Sequence, residues 1–327
     1  MHSDEPKTPS QTLQKPMPLK EGVSQGQLIH PIVMYPYTQR DGYDHLTALY
    51  EQLVRPLSEN PQAYSRPLTV MNRQTFYTNA MWRFDKDRNA RFVKFRQEYV
   101  EKYSEIVDAW SVDSCQMWLA GLGVAFDKNT SGEDVYWLIP GDFDYASPSG
   151  QDVLNLLSQI PDAVLNHEQD LCLGEIEVDI NSSKQLIDTY GTYGLLYNWF
   201  PFEAQRIRKI TDKPRTEFFA IRHSFLREVL RQRWYAYEQT IVILLYGVLG
   251  NKRIHTIRIG SITDLPQGRE TLAAAMQQVE RTERVLKLFW REMHEKSANW
   301  PDTFRKLDTQ SEHIRGAALV ILENLLR

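Results

Sequence analysis

The sequence predicts an α/β protein: a mostly parallel mixed sheet flanked by helices, with a C-terminal helical extension. Three observations predict it. Short apolar runs at Ile32-Val33-Met34-Tyr35, Leu68-Thr69-Val70-Met71 and Val135-Tyr136-Trp137-Leu138-Ile139 read as buried strands. Segments with apolar residues every three or four positions separate them, and that alternation marks a parallel sheet. The last third keeps helical spacing almost throughout. With 42% hydrophobic residues in 327, the chain can bury a large core, which excludes wholesale disorder.

Taken in order, residues 1–27 are a polar, proline-containing tail with little to bury, expected to be disordered. An α/β domain is expected over 28–260. It opens with the strand at Ile32, closed by Pro36. Leu46, Leu49, Tyr50, Leu53 and Leu57 follow helical spacing up to Pro61. After the strand at Leu68, Phe92, Phe95, Tyr99, Tyr103, Ile106 and Trp110 predict one long helix from Arg88 to Trp110. The run Val135–Ile139 reads as the central strand. A helix capped by Ser147 or Ser149 follows, then the alternating segment Leu171 to Ile180. Phe225 to Leu249 reads as one helix or a pair, and Ile254 to Ile259 as a strand. Residues 261–327 are expected to form a helical hairpin. Leu272, Met276, Val279, Leu286, Trp290 and Met293 keep near-heptad spacing, as do Ile314, Ala318, Ile321 and Leu325. Such faces pack on the α/β domain or form a homo-oligomer seam.

Charge and composition narrow the function. The net charge of −4 does not suit a dedicated nucleic-acid binder. Two cysteines, Cys115 and Cys172, cannot build a disulfide framework, and both sit among apolar neighbours as reduced thiols of a cytoplasmic protein do. The longest apolar run, Ile241 to Leu249, is too short for a transmembrane helix. No Gly-x-Gly-x-x-Gly, phosphate-loop or Gly-x-Ser-x-Gly motif is present, and no His pair has metal-binding helical spacing.

The strongest chemical signal is Asp142-Phe143-Asp144, just after the central apolar strand and Gly141. Ligands in α/β sheets bind beyond the C-terminal strand ends. Two carboxylates spaced i, i+2 there can hold a divalent cation, Mg2+ or Mn2+, which neutralises a diphosphate. Glu175, Glu177 and Asp179 alternate, so on a strand they share one face: a solvated edge, or an acidic wall beside the metal. The segment Tyr190 to Pro201, dense in aromatics and glycine, reads as a loop that suits either sugar stacking or core packing. The basic run Arg206 to Arg215 suits either phosphate contacts or a solvated helix end.

An apolar strand followed by Asp-x-Asp within one α/β domain resembles the nucleotide-sugar-dependent glycosyltransferases of the GT-A fold, family 2 above all. Two further pieces are similar and come in the family's order. Ile32-Val33-Met34-Tyr35-Pro36-Tyr37-Thr38 resembles the first strand and its proline-containing loop. Trp234-Tyr235-Ala236-Tyr237-Glu238-Gln239 resembles the place of the catalytic acid, with Glu238-Gln239 where the family carries a glutamate-aspartate pair. The resemblance implies a metal on Asp142 and Asp144, a donor nucleotide near Pro36, Tyr37, Thr38, Arg40 and Asp142, and Glu238 as the base in an inverting transfer to a hydroxyl acceptor. Two other readings stay open. One is a phosphatase of the haloacid dehalogenase type, whose first motif is also Asp-x-Asp, although Ala146 here stands where Thr or Val is expected. The other is a non-catalytic α/β scaffold.

Overall fold

The computed structural model describes residues 27–34, 43–72, 86–109, 114–128, 133–178, 182–230, 239–263 and 272–325. Residues 1–26 of the tail, Pro36, Tyr37, Thr38, Arg40, Asp179 and Glu238 all lie outside them. Seven strands form one sheet: β1 (Ile29–Met34), β2 (Leu68–Asn72), β3 (Glu105–Ala109), β4 (Val135–Pro140), β5 (Leu171–Ile176), β6 (Phe219–Arg222) and β7 (Ile254–Gly260), in the order β3-β2-β1-β4-β6-β5-β7. The strands from β3 to β4 are parallel. β6 runs antiparallel to both its neighbours, and β5 and β7 are again parallel to each other. The sheet is mixed and mostly parallel, as the sequence predicts.

Every residue of β1 and β4 is buried, because helices cover both faces. On one face Val33, Trp137, Ile139, Cys172 and Ala220 meet four helices: α1 (44–58), α2 (86–103), α4 (Pro148–Leu156) and α5 (Gln159–Asn166). On the other, Ile32, Met34, Tyr136, Leu138, Leu173 and Phe219 meet α3 (Ser114–Asp127), α6 (183–199), α7 (Pro201–Ile210), α8 (His223–Leu230) and α9 (Gln239–Leu249). Two long C-terminal helices, α10 (Leu272–His294) and α11 (Trp300–Leu325), join this second cluster. Of the heptad-spaced residues, Val279, Leu286, Trp290 and Ala318 are buried within the chain itself.

Several expectations differ from the structure. The long helix stops at Tyr103, and 105–109 form β3 on the sheet edge. A buried chain of hydroxyls explains the break. Tyr50 bonds Thr69 at 2.7 Å and Thr69 bonds Ser104 at 2.6 Å, which holds Ser104 in extended conformation at the helix end, just before β3. β5 ends at Ile176 instead of Ile180, with a register shift after Glu175 that breaks the expected alternation of acids. β5 also lies between β6 and β7, so it is not an edge strand. Finally, α3 and β6 carry no strong periodicity and were not predicted.

The far end of β4 is closed by buried polar contacts. His30 Nε2 lies 3.1 Å from Asp134, whose other carboxylate oxygen accepts the Leu28 N–H. Two of the scattered histidines, His30 and His223, are used there, away from the strand ends considered next.

Candidate active site

The C-terminal end of β4 is tied on both sides. Gly141 N–H donates to the Met34 carbonyl at 2.5 Å, at the end of β1. Asp144 N–H donates to the Thr263 carbonyl at 2.8 Å, beyond β7. Between them the Asp-x-Asp turn is anchored by its middle residue: Phe143 is buried and its ring lies 5.0 Å from that of Phe218, which leads into β6. Tyr145 donates to the Pro140 carbonyl at 2.6 Å from inside the same turn. Ser147, as one of the two expected caps, accepts the Gly150 N–H at 3.1 Å and donates to the Asp144 carbonyl at 2.7 Å, starting α4. Asp142 and Asp144 are both half-buried.

Beside this turn is a cavity of about 240 Å³. Asp142 and Phe143 form one wall; Ile176, Val178, Lys184 and Asp188 form a second. Lys213, Arg215, Thr216, Glu217 and Phe218 come from the loop between α7 and β6, and Gln278 comes from α10. Burial holds the Tyr145 hydroxyl well above its ordinary pKa, and the carboxylates of Asp142 and Glu217 add to the effect, so both acids lie within electrostatic reach of it. Arg215 Nε donates to Asp188 at 2.6 Å and Nη1 to Gln278 at 2.6 Å. Asp188 lies in a π-helical turn of α6, Ile187–Thr192. Lys213 donates to Gln185. Burial pulls its pKa below the usual lysine value despite the opposing carboxylates of Asp188, Glu175 and Asp212.

The predicted residues divide as follows. Asp142 lines the cavity; Asp144 follows on the other side of Phe143 and does not line it. Pro36, Tyr37, Thr38 and Arg40 lie outside the described residues, but β1 ends at Met34 beside Pro140, so the chain leaves β1 at this end. Glu238 also lies outside them. Its successor helix α9 starts at this end, where Thr240 donates to the Thr216 carbonyl at 3.0 Å. Glu175 builds no acidic wall: it accepts from Thr211 and, at 3.0 Å, from the Asp212 N–H, and so shapes the loop that carries Lys213. The aromatic segment is helical up to Trp199 instead of a loop, because its apolar side chains pack at helical spacing; Tyr193, Trp199 and Phe200 serve the core, while Tyr190 and Tyr197 are exposed. Sequence reasoning missed Lys184, Asp188, Glu217 and Gln278.

No family model matches the sequence, and no curated protein matches it. Solved structures do match in shape. Glucosyl-3-phosphoglycerate synthase from Mycobacterium tuberculosis, in complex with phosphoglyceric acid, superposes with a TM-score of 0.51 at 12% identity, over 81% of this chain and 80% of that one. The same enzyme with Mn2+, uridine diphosphate and phosphoglyceric acid gives 0.51 at 12%, over 81% and 78%. With Mg2+ and uridine diphosphate it gives 0.51 at 13%, over 81% and 79%. The chain has a GT-A-like fold. At this identity the likeness is one of fold.

Within a GT-A-like fold, Asp142 and Asp144 fit a divalent cation by their chemistry. Mg2+ and Mn2+ prefer oxygen donors, and Mg2+ commonly takes one or two carboxylates and fills its shell with water and substrate phosphate. Among the described residues no group of three or more His, Cys, Asp or Glu side chains converges, so a cage built from protein alone is not offered. No helix among them is long and apolar enough to cross a membrane.

Proposed function

We propose that this chain is a metal-dependent glycosyltransferase of the cytoplasm that moves a sugar from a nucleotide-sugar donor to a hydroxyl acceptor, with inversion. One observation carries the reading: Asp-x-Asp stands at the exit of the central strand β4, next to β1, with Asp142 lining a cavity of mixed polar and apolar side chains. In sheets of this kind ligands bind at that exit. The fold neighbour that binds Mn2+, uridine diphosphate and phosphoglyceric acid supports the same ligand classes here. The phosphatase reading fits less well, because the motif follows the fourth strand and not the first.

In this reading Asp142 and Asp144 hold the cation, and the cation when bound offsets charge on the departing diphosphate. Pro36, Tyr37, Thr38 and Arg40, which follow β1 in the sequence, contact the nucleotide. Glu238, just ahead of α9, takes the proton of the acceptor hydroxyl as its oxygen bonds to the sugar and the sugar–phosphate bond breaks. Residues 28–260 supply the catalytic domain and 261–327 the hairpin that closes one face.

Calorimetry of uridine diphosphate with and without Mn2+ tests the reading. In Asp142→Ala and Asp144→Ala, the metal-dependent part of the affinity should vanish while the melting temperature stays within a few degrees, since both side chains are outside the core. Wild-type affinity in both variants would remove the metal site and the function built on it.

A further inference from the structure

The end of the sheet opposite the Asp-x-Asp turn joins a serine, a histidine and an aspartate in one hydrogen-bonded line. His30 Nδ1 lies 2.8 Å from Ser65 Oγ, and His30 Nε2 lies 3.1 Å from Asp134 Oδ2. His30 is the second residue of β1, Ser65 precedes β2 and Asp134 precedes β4, so three separate segments bring the line together. Each member is fixed. The Ser65 N–H donates to the Ile29 carbonyl at 2.9 Å, next to His30. The His30 ring stacks on its cross-strand partner Tyr136, 5.0 Å away, whose hydroxyl lies 2.9 Å from His223 Nδ1. Asp134 Oδ1 accepts the Leu28 N–H at 3.1 Å.

Those partners set the roles. A backbone N–H on one oxygen of Asp134 favours the carboxylate form, so the other oxygen accepts the Nε2 proton of His30. Nδ1 is then the bare nitrogen, and it accepts from the Ser65 hydroxyl. A hydroxyl on a base, with the base oriented by a third group, is the arrangement that activates a nucleophile. Burial divides the three in the same sense. His30 and Asp134 are each 2% exposed, whereas Ser65 is half-buried and reaches solvent. Stability alone does not account for the line, because the attraction within a buried ion pair is offset by lost hydration.

We propose that Ser65 is a nucleophilic serine, with His30 as its base and Asp134 as a positioning residue, that takes the acyl group of a small ester. Ser65 Oγ bonds to the acyl carbon as its proton passes to His30 Nδ1. The ester C–O bond breaks, and that proton leaves with the alcohol. Water, giving a proton to the same nitrogen, then releases the acid and restores Ser65. The ester is compact because the base lies beneath the surface, where Oγ stays bonded to Nδ1. This site stands apart from the transferase reading.

The full chain is treated with an alkyl fluorophosphonate, which bonds to a serine oxygen through phosphorus and expels fluoride, and its serines are read by peptide mass spectrometry. Ser65 should react ahead of Ser149 and Ser297, although both of those are exposed. Hydrolysis of p-nitrophenyl acetate should vanish in Ser65→Ala. His30→Gln should slow labelling about 100-fold or more, the scale of a lost general base. Asp134→Asn should slow it as well, since an amide N–H facing Nε2 sends the ring proton to Nδ1. Ring-nitrogen NMR reads that change: His30 should carry its proton on Nε2 in the native chain and on Nδ1 in Asp134→Asn. If the His30 or Asp134 variant does not melt cooperatively, the native chain still decides, by the ranking of its serines and the place of the His30 proton. Labelling of Ser65 no faster than of Ser149 and Ser297, equal labelling in His30→Gln, undiminished hydrolysis in Ser65→Ala, or a native His30 proton on Nδ1 would overturn the proposal. None of these results bears on metal-dependent uridine diphosphate binding, so the two readings fail separately.

Discussion

Phe143 lets one apolar side chain place two polar ones. Its burial against Phe218 turns the backbone so that the carboxylates before and after it emerge at the strand exit. Two predictions belong to this scale. Glu238→Gln keeps shape and removes a proton acceptor, so turnover should fall about 100-fold or more, with uridine diphosphate affinity unchanged. A steady-state comparison checks it, and near-normal turnover would shift the search for the base to Glu217. Cys172 is fully buried, and burial pushes its thiol up to about 12. The thiolate is the reactive form, so Cys172 should resist iodoacetamide at pH 8 in the native protein and react fully in denaturant. Peptide mass spectrometry reads that residue directly. The Asp-x-Asp pair was legible in the sequence because its neighbours along the chain, an apolar strand and a capped helix, are its neighbours in space. Lys184, Asp188, Glu217 and Gln278 were not, since three separate segments bring them together.

Among the elements, α4 bears most directly on the site. Its first turn presses on Asp144: a Cβ on Gly150 would lie 2.1 Å from the Asp144 carbonyl oxygen and 2.7 Å from Tyr145 Cα. Both contacts are backbone and cannot swing away. Gly150→Val should therefore cost about 1–3 kcal/mol in a denaturant melt, and Mn2+-dependent uridine diphosphate binding should weaken with it, because the turn must move. Wild-type values for both would show that the helix start is free to shift. Close approach also explains why α3 escaped prediction. Gly121 and Gly123 each lower helix propensity by about 1 kcal/mol. Yet a Cβ at Gly121 would meet Val70 Cγ2 at 2.6 Å, so the glycine lets the helix sit on β2. β6 was missed for a different reason. It has four residues, Phe219–Arg222, too few for any period to show. Without it Glu217, in the loop before it, carried no signal, although Arg215 stands out in the basic run Arg206 to Arg215.

At the scale of the molecule, the C-terminal hairpin and the sheet share one apolar cluster. Trp290 packs 5.8 Å from Trp199 and 5.9 Å from Phe304, and Phe289 lies 5.4 Å from Phe200. Gln278 carries the hairpin into the cavity as well. A chain ending at residue 263 should therefore expose this face, bind a hydrophobic dye and self-associate in light scattering. A milder change, Trp290→Ala, should cost about 3–5 kcal/mol. A monomeric, cooperatively melting 1–263 chain would contradict both the shared core and the hairpin's part in the site.

From residue order alone came the α/β class, the strands β1, β2, β4 and β7, the two long C-terminal helices, and the acidic turn after β4. Each of these is written in local spacing, because a buried parallel strand is a short apolar run and an amphipathic helix repeats every three to four residues. Tertiary structure alone decided the order β3-β2-β1-β4-β6-β5-β7 and the reversed direction of β6. It also decided the change from helix to strand at Ser104 and the meeting of Lys184, Asp188, Lys213, Arg215 and Gln278 in one cavity. Strand pairing and ion pairs such as Arg215–Asp188 act between residues far apart in the chain. Local periodicity carries no trace of such contacts until the sheet has closed.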